Sequence, residues 1–337
     1  MRMKPSFIFA ALIASLSTAV AVEPKAGEVV SFEAGRMSGV ALLYTPSSWE
    51  TGAARHWPVL PYYPGTGGRP SIDRARRYAG DDSFFLVGMS YSIRGPISAA
   101  QHEEFYATEA ANLRAVRDAL APYGVEATRV YVGGFSKGGW MASHFADKHP
   151  DLIAGALVLG AGRNPFRQED LPKYPNKMPI YIGVGTAEVN YQLGRNGISH
   201  WRDRGATVTF DAYLGIGHRP PVAQRSEYLQ QWLAVEAYRD RKTLLKPIFD
   251  RWHEGTRAAA IKIAKKDPLR AYLLLEHMAG APLAAFLTKT QRGALSGDIS
   301  RLRETPAVAA ELRQRATYGK ILDKETLGGF RLRVWVD

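Results

Sequence analysis

Short apolar runs rich in β-branched and aromatic residues recur along the first two thirds of the chain, with helix-like stripes between them. Val29 to Phe32 and Val40 to Tyr44 read as two early strands, and Gly35 and Gly39 between them predict a hairpin. Trp57 to Tyr63 reads as a third strand, although Pro58 and Pro61 each remove a ladder donor. It runs into Pro64-Gly65-Thr66-Gly67-Gly68, a turn through which regular structure does not continue. Ser71 to Tyr78 has helical spacing, and Phe84 to Met89 reads as a buried strand. Ser98 and Gln101 have capping-box spacing. Behind them Phe105, Leu113, Val116 and Leu120 fall on one helical stripe, which Glu109 interrupts. Arg129 to Val132 is the next strand, and Gly139 to Phe145 the next helix. That helix stops near His149-Pro150, where an interior proline would lose a hydrogen bond and clash with the preceding turn. Ile153 to Leu159, Pro179 to Val184 and Val208 to Leu214 follow as strands, and Val222 to Ala237 as a helix. A helix is also expected around Asp203.

Strands alternating with helices predict an α/β fold, a mostly parallel sheet covered by helices on both faces. Ligands of such sheets bind at the carboxyl ends of the strands. From about Arg239 the alternation stops. Pro247 to Lys266, Pro268 to Leu287 and Pro306 to Tyr318 read as helices with proline at the first position, where its missing N–H costs nothing. Pro282 kinks or ends the second, and Phe330 to Val336 reads as a terminal strand. This tail is expected to be a small helical appendage that packs on the main domain or binds a partner.

Charge sharpens that division. The 337 residues carry a formal net charge of +12, and from residue 239 onward 20 Lys and Arg face 11 Asp and Glu, a balance of +9. The tail could therefore contact an anionic surface or partner, although a solvated helical face is the plainer reading. No nucleic-acid-binding motif accompanies the charge, so no nucleic-acid partner is expected. At the N-terminus, Arg2 and Lys4 precede an apolar stretch from Phe7 to Leu16 that is too short to span a bilayer, and Ala19-Val20-Ala21 fits a cleavage site. Residues 1–21 are thus expected to be a signal peptide, giving an exported, periplasmic or secreted protein. No later apolar run is long enough for a transmembrane span. The chain has no cysteine, which excludes disulfides, thiol catalysis and cysteine-ligated metals; no metal or cofactor is expected.

The chemistry is concentrated at three strand ends. After the Arg129 strand comes Gly134-Phe135-Ser136-Lys137-Gly138, a G-x-S-x-G motif between strand and helix. In that context the motif predicts a nucleophile elbow, a turn so sharp that residues two positions from the serine must be small. After the Pro179 strand comes Gly185-Thr186-Ala187-Glu188, and after the Val208 strand Gly215-Ile216-Gly217-His218. A serine hydroxyl needs an imidazole to take its proton and a carboxylate to orient that imidazole. Ser136, Glu188 and His218 come in the order nucleophile, acid, base, and all would lie at one edge of a parallel sheet. His200 is the nearest competing base, and Asp211 and Asp203 the competing acids. Two backbone N–H groups would form the oxyanion hole, one from Lys137 and one from Gly65 or Thr66.

These segments resemble the α/β-hydrolase superfamily over roughly Val29 to Ala237. The resemblance rests on the Pro64–Gly68 turn, the elbow from Arg129 to Gly139, the helix exit at His149-Pro150-Asp151, and Gly217-His218. Within the superfamily the chain looks most like secreted esterases of the polyhydroxybutyrate-depolymerase-like and feruloyl-esterase-like branch, with dienelactone-hydrolase-like and prolyl-oligopeptidase-like domains as close relatives. The resemblance implies residues 22–238 as the α/β-hydrolase domain and residues 239–337 as the basic helical region. It also implies cleavage of a small-molecule or polymeric ester through an acyl-enzyme. Peptidase or acyltransferase chemistry on the same site, or a non-catalytic binding protein on the same fold, is the alternative. The chain departs from the family pattern where Tyr63-Pro64 replaces a histidine before the glycines, where Glu188 replaces an aspartate, and where Lys137 follows the nucleophile. Lys137 could favour an anionic substrate; a solvent-facing side chain is the expectation. Only 18 residues separate Gly160 from Pro179, with Pro165, Pro172 and Pro175 among them, so no large lid is expected and the cleft should be open. Tyr62, Tyr63, Tyr91, Trp140 and Tyr191 either line that cleft or belong to the core.

Overall fold

The computed structural model describes residues 23–322 except 53–55, 96, 164–170, 172, 175–176 and 222. The expected signal peptide, the terminal strand at Phe330 to Val336, the first residue of the helix expected from Val222, and Pro165, Pro172 and Pro175 lie outside the described residues.

Eight strands form one sheet: β1 (Val29–Phe32), β2 (Ala41–Tyr44), β3 (Trp57–Tyr63), β4 (Phe85–Gly88), β5 (Val125–Phe135), β6 (Gly155–Leu159), β7 (Pro179–Gly185) and β8 (Thr207–Tyr213). Their spatial order is β1-β2-β4-β3-β5-β6-β7-β8. β1 and β2 form the expected hairpin, β2 pairs antiparallel to β4, and every other pairing is parallel. β3 is central despite its prolines, and its pairing with β5 shifts register between Trp57 and Val59, around Pro58.

The strands are apolar throughout because both faces are covered. Successive side chains alternate between two cores. Val59, Val130, Val132, Ala156, Val158, Ile180 and Ile182 face one core. There they meet α2 (His102–Leu120), α3 (Lys137–Lys148) and α4 (Tyr191–Asp203). Leu60, Tyr131, Leu157, Leu159 and Tyr181 face the other, toward α1 (Ile72–Ala79) and α5 (Ala223–Tyr238). Ser71 caps α1 by accepting from the Arg74 N–H, whereas Ser98 and Gln101 bond to each other ahead of a 3₁₀ turn that leads into α2.

The tail adds α6 (Lys242–Ala264), α7 (Pro268–Gly280), α8 (Lys289–Arg303) and α9 (Pro306–Leu322). Three sequence expectations need correction here. α6 starts at Lys242, so Pro247 lies inside it, one turn past the start, instead of at its first position. The second expected helix does not run to Leu287: as α7 it ends at Gly280, and Pro282, expected to kink or end it, opens a separate 3₁₀ turn. α8 was not expected; its weak apolar stripe hides it, but Thr288 and Gln291 form a reciprocal capping box that starts it. Leu245, Trp252, Leu275, Met278 and Leu283 of the tail join Leu229 and Leu233 of α5 in one apolar cluster. Arg129, at the foot of β5, pins the junction: it donates to the Ala237 carbonyl, to Asp240 at 2.6 Å and to Glu126 at 2.9 Å. No described helix is long and apolar enough to cross a membrane.

Candidate active site

β5 ends at Phe135 and α3 begins at Lys137, leaving one residue to reverse the chain. That residue, Ser136, has φ 58° and ψ −117°, the one positive φ outside glycine among the described residues. Such a conformation costs about 1–3 kcal/mol and is held by its surroundings. Its N–H donates to the Leu159 carbonyl at 2.9 Å and its own carbonyl accepts from Trp140 at 3.0 Å. The flanking glycines are required by contact. A methyl group on Gly134 would lie 2.5 Å from the Gly138 carbonyl carbon, and one on Gly138 only 2.1 Å from the Tyr63 carbonyl oxygen. The elbow is therefore pressed against the end of β3.

β7 and β8 deliver the other two groups. Glu188 follows β7 in a turn, and His218 lies in the loop after β8. The two loops are bonded together: Thr186 N–H to the Tyr213 carbonyl at 2.9 Å, Ala187 N–H to the Ile216 carbonyl at 3.0 Å, and Gly215 N–H to the Thr186 hydroxyl at 2.9 Å. His218 Nδ1 lies 2.6 Å from Glu188 Oε2, and His218 Nε2 lies 2.9 Å from Ser136 Oγ. The Glu188 side chain is fully buried, whereas that of His218 is 40% exposed. Burial pushes the Glu188 carboxyl above its usual range, and the His218 ring and the Gly185 backbone N–H oppose that shift. The structure thus brings Ser136, His218 and Glu188 together in one hydrogen-bonded line.

The competitors lie elsewhere. His200 Nε2 is 3.0 Å from Asp147, which also accepts from Trp201 at 2.8 Å and Arg204 at 2.6 Å, a knot joining α3 to α4. Asp211 accepts from the Tyr181 hydroxyl at 2.6 Å inside β8, and Asp203 ends α4. Tyr62 and Tyr63 belong to the core, whereas Trp140 and Tyr191 are half-buried.

Gly65 sits beside the nucleophile: a methyl group there would lie 3.6 Å from Ser136 Cβ. The turn is closed by Gly68 N–H to the Gly65 carbonyl at 2.9 Å, and the Tyr91 hydroxyl donates to the Pro64 carbonyl at 2.7 Å. Lys137 departs from its expected solvent-facing position. Its ammonium lies 4.3 Å from the Tyr91 ring centre and 5.3 Å from that of Phe105, and is 3.5 Å from the Gly95 carbonyl. The ammonium rests against aromatic faces, which attract a cation, while partial burial pulls the Lys137 pKa below its usual value. Two contacts carried no sequence signal. The Phe135 ring packs on His218 with centroids 4.8 Å apart, and Asn190 Nδ2 donates to the Gly160 carbonyl at 2.9 Å. Among the described residues no group of three or more His, Asp or Glu could hold a metal ion.

No protein-family model matches the chain. It is 25% identical over 194 residues to a protein named carboxylesterase SOBER1 from Arabidopsis thaliana, covering 56% of this chain and 78% of that one. It is 30% identical over 101 residues to acyl-protein thioesterase 1 of Neurospora crassa, covering 28% of this chain and 41% of the relative. It is also 30% identical over 116 residues to lysophospholipase-like protein 1 of Mus musculus, covering 33% and 48%. The chain thus spans less than half the length of these last two relatives. Among solved structures, an ester-hydrolase from the metagenome of Lake Arreo superposes with a TM-score of 0.50 at 19% identity, over 64% of this chain and 84% of that one. The strand order and this likeness give the chain the α/β-hydrolase fold.

Proposed function

We propose that the chain is a serine hydrolase that cleaves carboxylic esters through an acyl-enzyme. One observation carries this reading: the hydrogen-bonded line from Glu188 through His218 to a strained Ser136. In the proposed reaction, His218 takes the Ser136 hydroxyl proton as Oγ bonds to the ester carbonyl carbon. The resulting imidazolium is stabilised by Glu188. The carbonyl oxygen becomes an oxyanion held by the Lys137 N–H and by the N–H of Gly65 or Thr66. Collapse breaks the ester C–O bond, and His218 gives its proton to the departing alkoxide. Water, deprotonated by His218, then attacks the acyl-enzyme and releases the carboxylic acid and Ser136.

The names of the relatives, a carboxylesterase, a thioesterase and a lysophospholipase-like protein, support an ester or thioester substrate over a peptide. The basic stretch, apolar run and Ala19-Val20-Ala21 at the N-terminus support export, read as a mature protein beginning at residue 22. Terminal sequencing of the exported protein checks this.

A fluorophosphonate probe and short acyl esters test the activity. Wild type is expected to label and to turn over, and Ser136→Ala and His218→Ala to lose both, kcat falling by about 10⁴-fold or more. Folded wild type that neither labels nor cleaves any short acyl ester would overturn the reading.

A further inference from the structure

Glu109 has no role in the mechanism above, yet it is the residue of α2 least expected where it stands. It occupies the stripe of Phe105, Leu113 and Val116, and it is fully buried. A buried carboxylate costs several kcal/mol unless its surroundings compensate, so an apolar residue would serve packing better. Its surroundings point toward the active site. Oε1 accepts from the Ser92 N–H at 2.6 Å and from the Ser92 hydroxyl at 2.7 Å, which ties α2 to the residue after Tyr91. Burial pushes the Glu109 carboxyl above its usual range, and the two bonds from Ser92 oppose that shift.

Lys137 and Tyr91 complete the connection. The Lys137 ammonium stands over the Tyr91 ring, 4.3 Å from its centre. The Tyr63 ring lies against Tyr91 with centroids 5.5 Å apart. The Tyr91 hydroxyl holds the Pro64 carbonyl, and Pro64 leads directly into Gly65 and Thr66. Lys137 itself carries the other proposed oxyanion N–H. Both donors are thus tied to one unit. The Lys137 ammonium rests on the Tyr91 and Phe105 rings, which argues against its serving as a receptor for an anionic substrate.

We propose that Glu109, Lys137 and Tyr91 are positioning residues that set the oxyanion hole. Glu109 anchors the Tyr91-Ser92 segment, the Tyr91 ring seats the Lys137 side chain, and the Tyr91 hydroxyl fixes the turn that carries the second donor. None of the three side chains touches the reacting atoms in this scheme. The inference rests on the serine-hydrolase reading and goes beyond it.

The test measures kcat and KM on p-nitrophenyl acetate, together with the inhibition constant of a trifluoromethyl ketone whose tetrahedral adduct carries an oxyanion. Tyr91→Phe removes only the bond to Pro64, Glu109→Gln keeps the shape but not the charge, and Lys137→Met keeps the stem. Each is expected to lower kcat by about 10–100-fold while KM changes by less than about 3-fold. The ketone constant should rise by the same factor as kcat/KM falls. Tyr91→Phe combined with Glu109→Gln should be no worse than the poorer single variant. Wild-type kcat/KM and ketone affinity in Tyr91→Phe would overturn the proposal, as would additive losses or losses confined to KM. Should Glu109→Gln fail to fold, Tyr91→Phe alone decides. Wild type that neither turns over nor binds the ketone overturns the serine-hydrolase reading itself, a distinguishable outcome.

Discussion

At the scale of the residue, the chemistry is set by what is withheld from water. Glu188 is one methylene longer than aspartate, and its side chain is wholly buried while its partner His218 remains open to the cleft. Burial raises its carboxyl pKa above the unfolded value of about 4.3. The folded protein therefore binds that proton more tightly than the unfolded chain. This contribution to stability falls as pH rises from the unfolded pKa through the folded one, and stays lost above it. Glu188→Gln abolishes the cost of burying the charge. The variant is expected to melt higher than wild type at pH 7, with the difference closing toward pH 4, while kcat drops on the order of 10³–10⁴-fold. Equal melting temperatures at both pH values, or undiminished kcat, would contradict this account. Lys137 teaches the complementary lesson. Its type and position were readable, but its orientation was not, because aromatic rings from β4's exit and α2 decide where the ammonium rests.

At the scale of the element, the elbow works by close backbone approach. A Cβ on Gly138 would meet the carbonyl of Tyr63, a backbone atom of a central strand that cannot easily move. Gly138→Ala is expected to destabilise the fold by about 3 kcal/mol or more and to abolish probe labelling. Gly293→Ala in α8, where nothing lies within 4 Å, should instead stabilise by about 0.5–1 kcal/mol, as alanine does within a helix. Urea unfolding of both variants makes the comparison. A near-neutral Gly138→Ala would mean the turn is looser than its contacts imply. The glycines of the elbow were legible because the motif demands them. The register shift near Pro58 and the inward placement of Pro247 were not, since both depend on what the neighbouring elements tolerate.

At the scale of the whole molecule, the basic tail and the sheet share one apolar cluster. Leu275 of α7 is nearly inaccessible and packs in the group that contains Leu229, Leu233 and Tyr78. Leu275→Ala is expected to cost about 2–4 kcal/mol, with esterase activity and helical signal lost in a single unfolding transition. Two separate transitions, with activity surviving the first, would show that the tail melts independently. The sequence by itself determined the order of strands and helices as far as α5, the elbow, and which residues stand just past the ends of β5, β7 and β8. Those features are local: they follow from periodicity, from proline and glycine, and from a short motif. Only the tertiary structure decided that Glu188 and not Asp211 reaches His218, that His200 is bound to Asp147, and that the buried Glu109 holds Ser92. These depend on strand order and on the distance between loops far apart in the chain, quantities that the spacing of residues along one segment does not contain.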